Sequence, residues 1–319
     1  MPDPTTRQSG RPDTLLTNVA LSYARSMGDI YVADKVFPVV PVDFQSAKYK
    51  VFPRSYFLRD EVGPRPIGGY PRQVGYKMSE DSYSATNEAL EAVIADAERV
   101  NYQGPVSGSP EAAKVRLLQS QHLIHRDKAW AAKYFKTGVW TRDITGIASG
   151  VPTSTQMLQW DNANSDPITT LMVESFGVGQ KVGGSWRPKT LVLGVNAYIR
   201  LANHPLILGR LGVNNTRLVD QSGLATLLGV DKVLVPQGTV NTGTERETVA
   251  ASESNASYSW IVGANDALLV YSAPMPSTDQ PSGGHTFVCK ALRGSPAAVP
   301  PHALAAARDP RGAPPRVQG

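Results

Sequence analysis

The most regular pattern of apolar and polar residues lies between 110 and 136, and it predicts one long α-helix. Ser109 suits the N-cap and Pro110 the first helical position, and Gly138 ends the pattern. Apolar side chains recur there at helical spacing along one stripe: Ala113, Leu117, Ile124, Ala131 and Phe135. At about 1.5 Å per residue, this helix would be a rod roughly 40 Å long.

The chain before this helix has a different character. Residues 1–13 show no periodicity, so we expect them to be disordered, and Thr14 could cap a short helix over 15–25. Residues 30–53 are rich in β-branched and aromatic side chains but are interrupted by prolines. Because proline cannot donate to a strand ladder, these residues predict edge strands or extended arms.

Residues 47–88 predict a long two-stranded excursion. Gly, Pro and Arg dominate its middle, and the polar and small residues after 76 suit a strand exposed on both faces. Loops longer than about 12–15 residues are uncommon inside compact domains and are usually functional. A disordered surface loop is the alternative that the residues leave open.

The chain after 166 predicts alternating helices and strands. Asp166 and Pro167 open a helix that we expect to end at the glycines 177 and 179. Ser222 is expected to cap a helix that Gly229 ends. The remaining segments are buried strands at 190–194 and 232–236, a helix over 196–204, and a hairpin over 258–272.

Composition and charge exclude several classes of protein. The chain has 319 residues and a net charge of +5, but from Lys290 onward it has five basic residues and one acidic residue. The remainder is nearly neutral, which does not favour a nucleic-acid-binding face. We see no secretory signal and no apolar run long enough for a membrane span. Cys289 is the single cysteine, so no internal disulfide can form.

No motif of catalysis, cofactor binding or metal binding is complete. His122 and His125 could face one ion from the long helix, but two ligands do not make a site. Residues 161–172 fail as a calcium loop because Met172 stands where a glutamate belongs. The glycines of 177–183 have the wrong spacing for a dinucleotide, and Cys289 has no neighbouring base. We therefore expect no enzyme activity, no cofactor and no metal.

Eight segments stand out along the part of the chain from roughly 15 to 289: IYVADKVFPVVPV, FLRDEVGPRP, SEDSYS, WAAKYFKTGVW, RPKTLVLGVNAYIRLANHP, LLGVDKVLV, ALLVYSAP and GGHTF. Together, and in this order, they resemble segments of the major capsid proteins of tailed bacteriophages, which share the Hong Kong 97 fold. None is a catalytic motif.

The resemblance implies an α+β fold, the Hong Kong 97-like capsid fold, and an assignment of its parts. These would be an N-terminal arm (1–46), an extended E-loop hairpin (47–88), a P-domain (89–186) with its long spine helix at 110–136, an α/β A-domain (187–275), a partial return to the P-domain (276–293), and a low-complexity tail (294–319) expected to be disordered.

The resemblance also implies a function and partners. The chain would assemble with itself into pentamers and hexamers of an icosahedral virion shell, built in the cytoplasm of the host bacterium, and would not bind a membrane. Packaged double-stranded DNA would be held without sequence-specific binding, and portal and decoration proteins could attach. We expect the E-loop to contact the next subunit through charged side chains: Arg54, Arg59, Asp60, Glu61 and Arg65.

Two departures from the family pattern affect these expectations. About 14 residues precede the match, so we expect any scaffolding protein to be a separate chain. Of the 26 residues of 294–319, 19 are Pro, Ala, Arg or Gly, where the family has strands. Translation in a shifted frame of the gene is our hypothesis for this end, and the other reading frames after codon 290 would test it.

Two other functions remain open from the sequence. An encapsulin-like nanocompartment shell would share the fold but enclose a protein cargo, and the neighbouring genes would distinguish it. A metal-dependent α/β hydrolase using His122 and His125 is the remote alternative, and it would be a monomer or a small oligomer.

Overall fold

A computed structural model gives the structure of residues 13–51, 58–65, 67–75, 77–86, 88–102, 104–184, 186–211, 219–243, 257–275, 282–289 and 316–318. The helices are α1 (Thr14–Ser26), α2 (Ala33–Val36), α3 (Asp96–Val100), α4 (Pro110–Tyr134), α5 (Pro167–Lys181), α6 (Val195–Ala202), α7 (Pro205–Leu211) and α8 (Gln221–Leu228), with a 3-10 turn at Val106–Gly108. The strands are β1 (Val39–Val42), β2 (Ser46–Val51), β3 (Ser79–Ser84), β4 (Asp143–Ile147), β5 (Gln156–Leu158), β6 (Thr190–Leu193), β7 (Lys232–Leu234), β8 (Thr239–Asn241), β9 (Tyr258–Trp260), β10 (Asp266–Val270), β11 (Thr286–Cys289) and β12 (Arg316–Gln318).

Four sheets connect these strands within the described residues. The largest has six strands in the order β5-β4-β12-β10-β6-β7. Three pairs complete the set: β1 lies parallel to β11, β2 antiparallel to β3, and β8 antiparallel to β9. The mixture of helices and strands fits the predicted α+β class.

The large sheet and the helices α5, α6 and α8 form one lobe, which we call the α/β lobe. Its core lies around β6, whose four residues are all buried. The helices α5, α6 and α8 place apolar side chains such as Leu171, Leu201 and Leu224 in the same cluster. Gly194 directly follows β6, at a place where the loop at 263–264 passes very close. A Cβ there would lie 2.3 Å from the carbonyl oxygen of Gly263, so only glycine fits.

The long helix α4 carries a second core. Ser109 accepts a hydrogen bond from the Ala112 N–H and caps it as predicted, but the helix ends at Tyr134 rather than 136. The predicted apolar stripe was right only in part: Ala131 is buried and Phe135 packs against the core, but Ala113 and Leu117 are exposed. The buried residues of the helix are Ala112, Gln119, Leu123, Arg126, Asp127, Trp130, Ala131 and Tyr134.

Several helix ends differ from the predictions. Asp13, not Thr14, caps α1, and Asp220, not Ser222, caps α8. In both helices a carboxylate one or two residues earlier reaches the free backbone N–H groups. The helix α5 begins after Asp166 as predicted but continues through its glycines to Lys181. Gly229 ends α8 in the left-handed conformation, as predicted.

The predicted hairpin over 258–272 was wrong. The strand β9 pairs with β8, whereas β10 pairs with β6 and β12. The reason lies in burial: all of β9 is exposed, but four of the five residues of β10 are buried. A buried strand satisfies its backbone by pairing on both sides, and β10 does so inside the large sheet.

The tail 294–319 was expected to be disordered, and this was wrong for residues 316–318, the part of it that the structure describes. The strand β12 lies between β4 and β10, with Val317 opposite both Ile144 and Ala267. A strand at this place pairs the backbone of β4 and β10 at once, which favours an extended conformation. Residues 290–315 lie outside the described residues. No helix in the described part of the chain is long and apolar enough to cross a membrane.

Candidate assembly surface

The strands β2 and β3 form the predicted two-stranded excursion, which we call the hairpin. Its register runs from Ser46 opposite Ser84 to Val51 opposite Ser79. Tyr83 stacks on Phe287 of β11 with ring centroids 4.8 Å apart, and this contact attaches the hairpin to the body. The Tyr49 hydroxyl donates across the strands to Asp81 at 2.8 Å.

The five predicted contact residues lie in or beside the loop that joins β2 to β3. Arg54 lies outside the described residues. Arg59 approaches Glu61 at 4.0 Å, and the Arg65 guanidinium donates to the Gly69 carbonyl at 2.6 Å. The Asp60 carboxylate accepts the Val62 N–H at 3.2 Å. Contact of these side chains with another subunit stays a prediction.

One partner of the predicted acid was missed from the sequence. Arg72 binds Glu61 at 3.0 Å, a shorter contact than that with Arg59. The two arginines therefore share one carboxylate across the loop. The sequence gave no signal of the pair between Arg72 and Glu61, because the two residues are far apart along the chain and glycines and prolines lie between them.

Apolar side chains of the loop are the larger omission. Val62 and Tyr70 are 93% and 96% exposed, and Ile67 and Val74 are also exposed. Isolated exposed apolar residues are ordinary, but several on one projecting segment indicate a surface that another molecule covers. Their signal in the sequence was present, since each stands alone among polar, Gly and Pro residues of a long loop.

A buried carboxylate holds the N-terminal arm on α4. Asp127 is 1% exposed and accepts the backbone N–H groups of Val32 at 2.9 Å and Ala33 at 3.4 Å. Burial raises its pKa to about 6. Next to it, Arg126 binds Asp34, whose own pKa burial also raises. The arm residues behind this contact reach the core, where Phe37 lies 4.5 Å from the Tyr134 ring.

The two helix histidines do not converge on an ion. The His125 Nε2 lies 2.8 Å from a Glu88 carboxylate oxygen, so His125 connects α4 to the segment that follows the hairpin. Among the residues that the structure describes, no three His, Cys, Asp or Glu side chains gather as metal ligands. Cys289 is buried, and its thiol donates to the Asp43 carbonyl at 3.7 Å.

A second apolar surface lies along α5. Met172, Val173 and Phe176 are exposed on one side of this helix and line a shallow groove. The Arg187 guanidinium lies over the Phe176 ring, 4.6 Å from its centroid. This cation–π contact partly covers the groove and places a positive charge at its edge.

Comparison with solved structures shows which fold this is. A phage-related protein from Bordetella bronchiseptica aligns over 89% of this chain and 85% of its own, with a TM-score of 0.58 and 22% identity. The chain therefore has the fold of that protein. The resemblance to phage proteins that the sequence indicates is confirmed at the level of the fold.

Two further structures show weaker likeness. The capsid of the cyanophage P-SCSP1u aligns over 80% of this chain and 73% of its own, with a TM-score of 0.45 and 10% identity. A virus-like particle from Pyrococcus furiosus aligns over 86% and 82%, with a TM-score of 0.39 and 14% identity. No protein-family model and no curated protein sequence matches the chain.

Proposed function

We propose that this chain is the major capsid protein of a tailed bacteriophage, a structural subunit that assembles into the icosahedral shell of the head. The observation that carries the proposal is the shared fold with a phage-related protein over 89% of the chain. The sequence resemblance to tailed-phage capsid proteins supports the same function. The exposed apolar loop beyond the hairpin supports it physically, because a subunit needs surfaces that become covered only on assembly.

The parts of the Hong Kong 97 fold are assigned within this proposal. Residues 1–46 are the arm, and residues 47–88 are the E-loop. Residues 89–186 form the P-domain and residues 187–275 the A-domain, and residues 276–293 return in part to the P-domain. The helix α4 is the spine. The hairpin supports the E-loop assignment because its two paired strands are joined by a long loop that carries exposed apolar side chains, as a segment that a neighbour covers must.

The proposed partners follow from the same role. The chain forms pentamers and hexamers with itself in the virion, and it is assembled in the host cytoplasm with portal and decoration proteins. Arg59, Asp60, Glu61 and Arg65 contribute polar contacts at the rim of the interface. Each such surface pair adds only about 0–1 kcal/mol, which suits weak contacts repeated over a shell. The nearly neutral body favours enclosing DNA without gripping it.

Sedimentation velocity over a range of protein concentrations tests this function. We expect species far larger than a hexamer to appear above a critical concentration, because shell closure is cooperative. A chain that stays monomeric at every concentration would contradict the proposal. Nuclease-protected DNA inside particles isolated from infected cells distinguishes the phage shell from an encapsulin-like shell, which would contain a protein cargo.

A further inference from the structure

The groove along α5 exposes apolar side chains beside a positive charge. Met172, Val173 and Phe176 line it and are all exposed. A Cβ at Gly179 would lie 2.7 Å from the Arg187 Cγ, so the glycine lets the arginine side chain pass close over the helix. The Arg187 guanidinium therefore lies at the groove edge, 4.6 Å from the centroid of the Phe176 ring. A segment that covers this groove should be apolar and should carry an acidic side chain.

Residues 58–62, which we call the strap, have this composition. Leu58 and Val62 are 54% and 93% exposed. Asp60 lies between them and is exposed as well. The other two residues of the strap, one basic and one acidic, approach each other at 4.0 Å, so Asp60 supplies the net charge. The strap is therefore apolar at both ends and negative in the middle, which complements the groove and its arginine.

One end of the strap already lies at one end of the groove in the same chain. Gly183 follows α5, and a Cβ there would lie 3.0 Å from the Leu58 Cδ2. Phe176 lies five residues before Lys181, the last residue of α5, which is about 8 Å along the helix. Val62 lies four residues after Leu58, a stretch that spans up to about 13 Å when extended. The strap is therefore long enough to bring Val62 onto the groove of its own chain.

We propose that the strap closes over the α5 groove of its own chain before assembly and opens when the subunit joins a shell. Closure lays Val62 against Val173 and Phe176. It also brings the Asp60 carboxylate towards the Arg187 guanidinium. Two apolar surfaces of one chain then cover each other, and neither is available for association too early. The closed contact is independent of the proposed shell function, but its effect on assembly rests on that function.

The connection within one chain decides which partner the groove meets first. Two groups joined by a short connection meet at an effective concentration in roughly the millimolar range. Dilute free subunits offer one another far less, so the strap closes on its own groove. Once several contacts hold subunits side by side, a neighbour competes with the strap, and the strap can open.

Disulfide trapping tests the closed state. A variant with Val62→Cys and Val173→Cys can form its disulfide only when the two Cβ atoms come within about 4.5 Å. We expect mild oxidation of the dilute chain to give this disulfide within single chains, seen as faster migration on a non-reducing gel. The oxidised chain should need about tenfold more protein to assemble, because the open fraction is removed. Addition of reductant should reverse this change.

A matched pair of cysteines controls for chance collisions. Val62→Cys with Ile199→Cys places the second thiol on α6, at an exposed position that does not line the groove. Its two thiols should stay reduced, and the natural Cys289, which is buried, is the same in both variants. An equal yield of disulfide in the control would overturn the closed state. So would disulfides that join only different chains, or an oxidised chain that assembles like the reduced one.

A charge reversal tests the orientation of the strap. In the cysteine pair variant, Arg187→Glu should slow formation of the disulfide about fivefold, because Asp60 then faces a like charge. Addition of Asp60→Lys should restore the rate. An unchanged rate, or no restoration, would overturn the proposed closure. A wild-type chain that never assembles would instead contradict the shell function, while trapping of the disulfide would still decide whether the strap closes.

Discussion

At the scale of single residues, close packing and burial decide which side chains can change. Gly194 has two carbonyl oxygens where a Cβ would lie, at 2.3 Å from Gly263 and 2.4 Å from Ala264. By contrast, Gly177 in the middle of α5 has open space around its Cα. A side chain therefore has no room at Gly194 but has room at Gly177.

We expect Gly194→Ala to lower the free energy of unfolding by about 3 kcal/mol, because the backbone around 263–264 must shift. The control Gly177→Ala should be neutral or raise it by up to about 1 kcal/mol, since alanine favours the helix. Urea unfolding of both variants below the assembly concentration checks the difference. Equal effects of the two substitutions would show that the loop does not constrain position 194.

Asp127 gives stability an unusual dependence on pH. Burial raises its pKa to about 6, so the folded state binds the proton more tightly than the unfolded state does. The contribution of this group is therefore most favourable below the unfolded pKa and falls as pH rises towards 6. The loss between pH 4 and 7 is about 3 kcal/mol at most for this group alone. The pKa of about 6 already includes the backbone hydrogen bond from Val32 and the charge of Arg126, which lower it, and the charge of Asp34, which raises it.

Asp127→Asn removes this titration. We expect the stability of the variant, relative to wild type, to rise by roughly 1–3 kcal/mol between pH 4 and pH 7. Urea unfolding at the two pH values measures the change. Asp161→Asn, which makes the same change at an exposed loop position, is the control, and a rise of the same size there would show that the burial of Asp127 is not the cause. A pH-independent difference between wild type and Asp127→Asn would contradict the account of the buried carboxylate.

At the scale of elements, the attachment of the hairpin depends on one aromatic side chain of the body. Phe287 is 8% exposed, stacks on Tyr83 at 4.8 Å and approaches Tyr49 at 6.5 Å. Two-stranded hairpins are marginally stable by themselves in water. The order of β2 and β3 therefore depends on this contact.

We expect Phe287→Ala to increase amide hydrogen exchange in β2 and β3 about tenfold, because the hairpin loses its aromatic support. Exchange in β6, inside the large sheet, should change much less. The control is Phe176→Ala, which removes an exposed ring from α5. Exchange in the hairpin that is unchanged in Phe287→Ala would show that other contacts hold it.

The elements also show what local sequence can predict. Ser109, Asp166 and Gly229 marked helix ends correctly, because capping depends on residues a few positions apart. The partners of β9 and β10 could not be predicted, since pairing depends on distant strands. The buried face of α4 was predicted only in part: Ala131 is buried as expected, but Asp127 is buried by the arm, about 95 residues away, and apolar periodicity does not mark a buried carboxylate.

The candidate surface was predicted in outline. The length of 47–88 and its glycines and prolines indicated a functional excursion, and β2 and β3 form its two strands. The charged residues were chosen from the sequence, but the exposed apolar residues around them were not. Each stands alone among polar, Gly and Pro residues, so the sequence carried a signal, but the degree of exposure, 96% for Tyr70, is visible only in three dimensions.

At the scale of the whole molecule, the exposed apolar surfaces of the chain indicate a subunit of a larger assembly. The described residues bury two cores, one in the α/β lobe and one between α4 and the arm. They leave apolar side chains exposed in three places: in the loop that joins β2 to β3, at Leu90 and Val93 after the hairpin, and along α5. Three such surfaces on one chain are more than a stable monomer needs, and they favour a subunit with several neighbours.

Negative-stain electron microscopy of the purified chain shows whether this protein builds a shell. We expect closed shells, or rings of five or six subunits, above the critical concentration. The same preparation of a chain lacking 290–319 shows whether β12 is needed for them. Uniform particles of monomer size at high concentration, from both chains, would contradict the claim that this protein builds a shell.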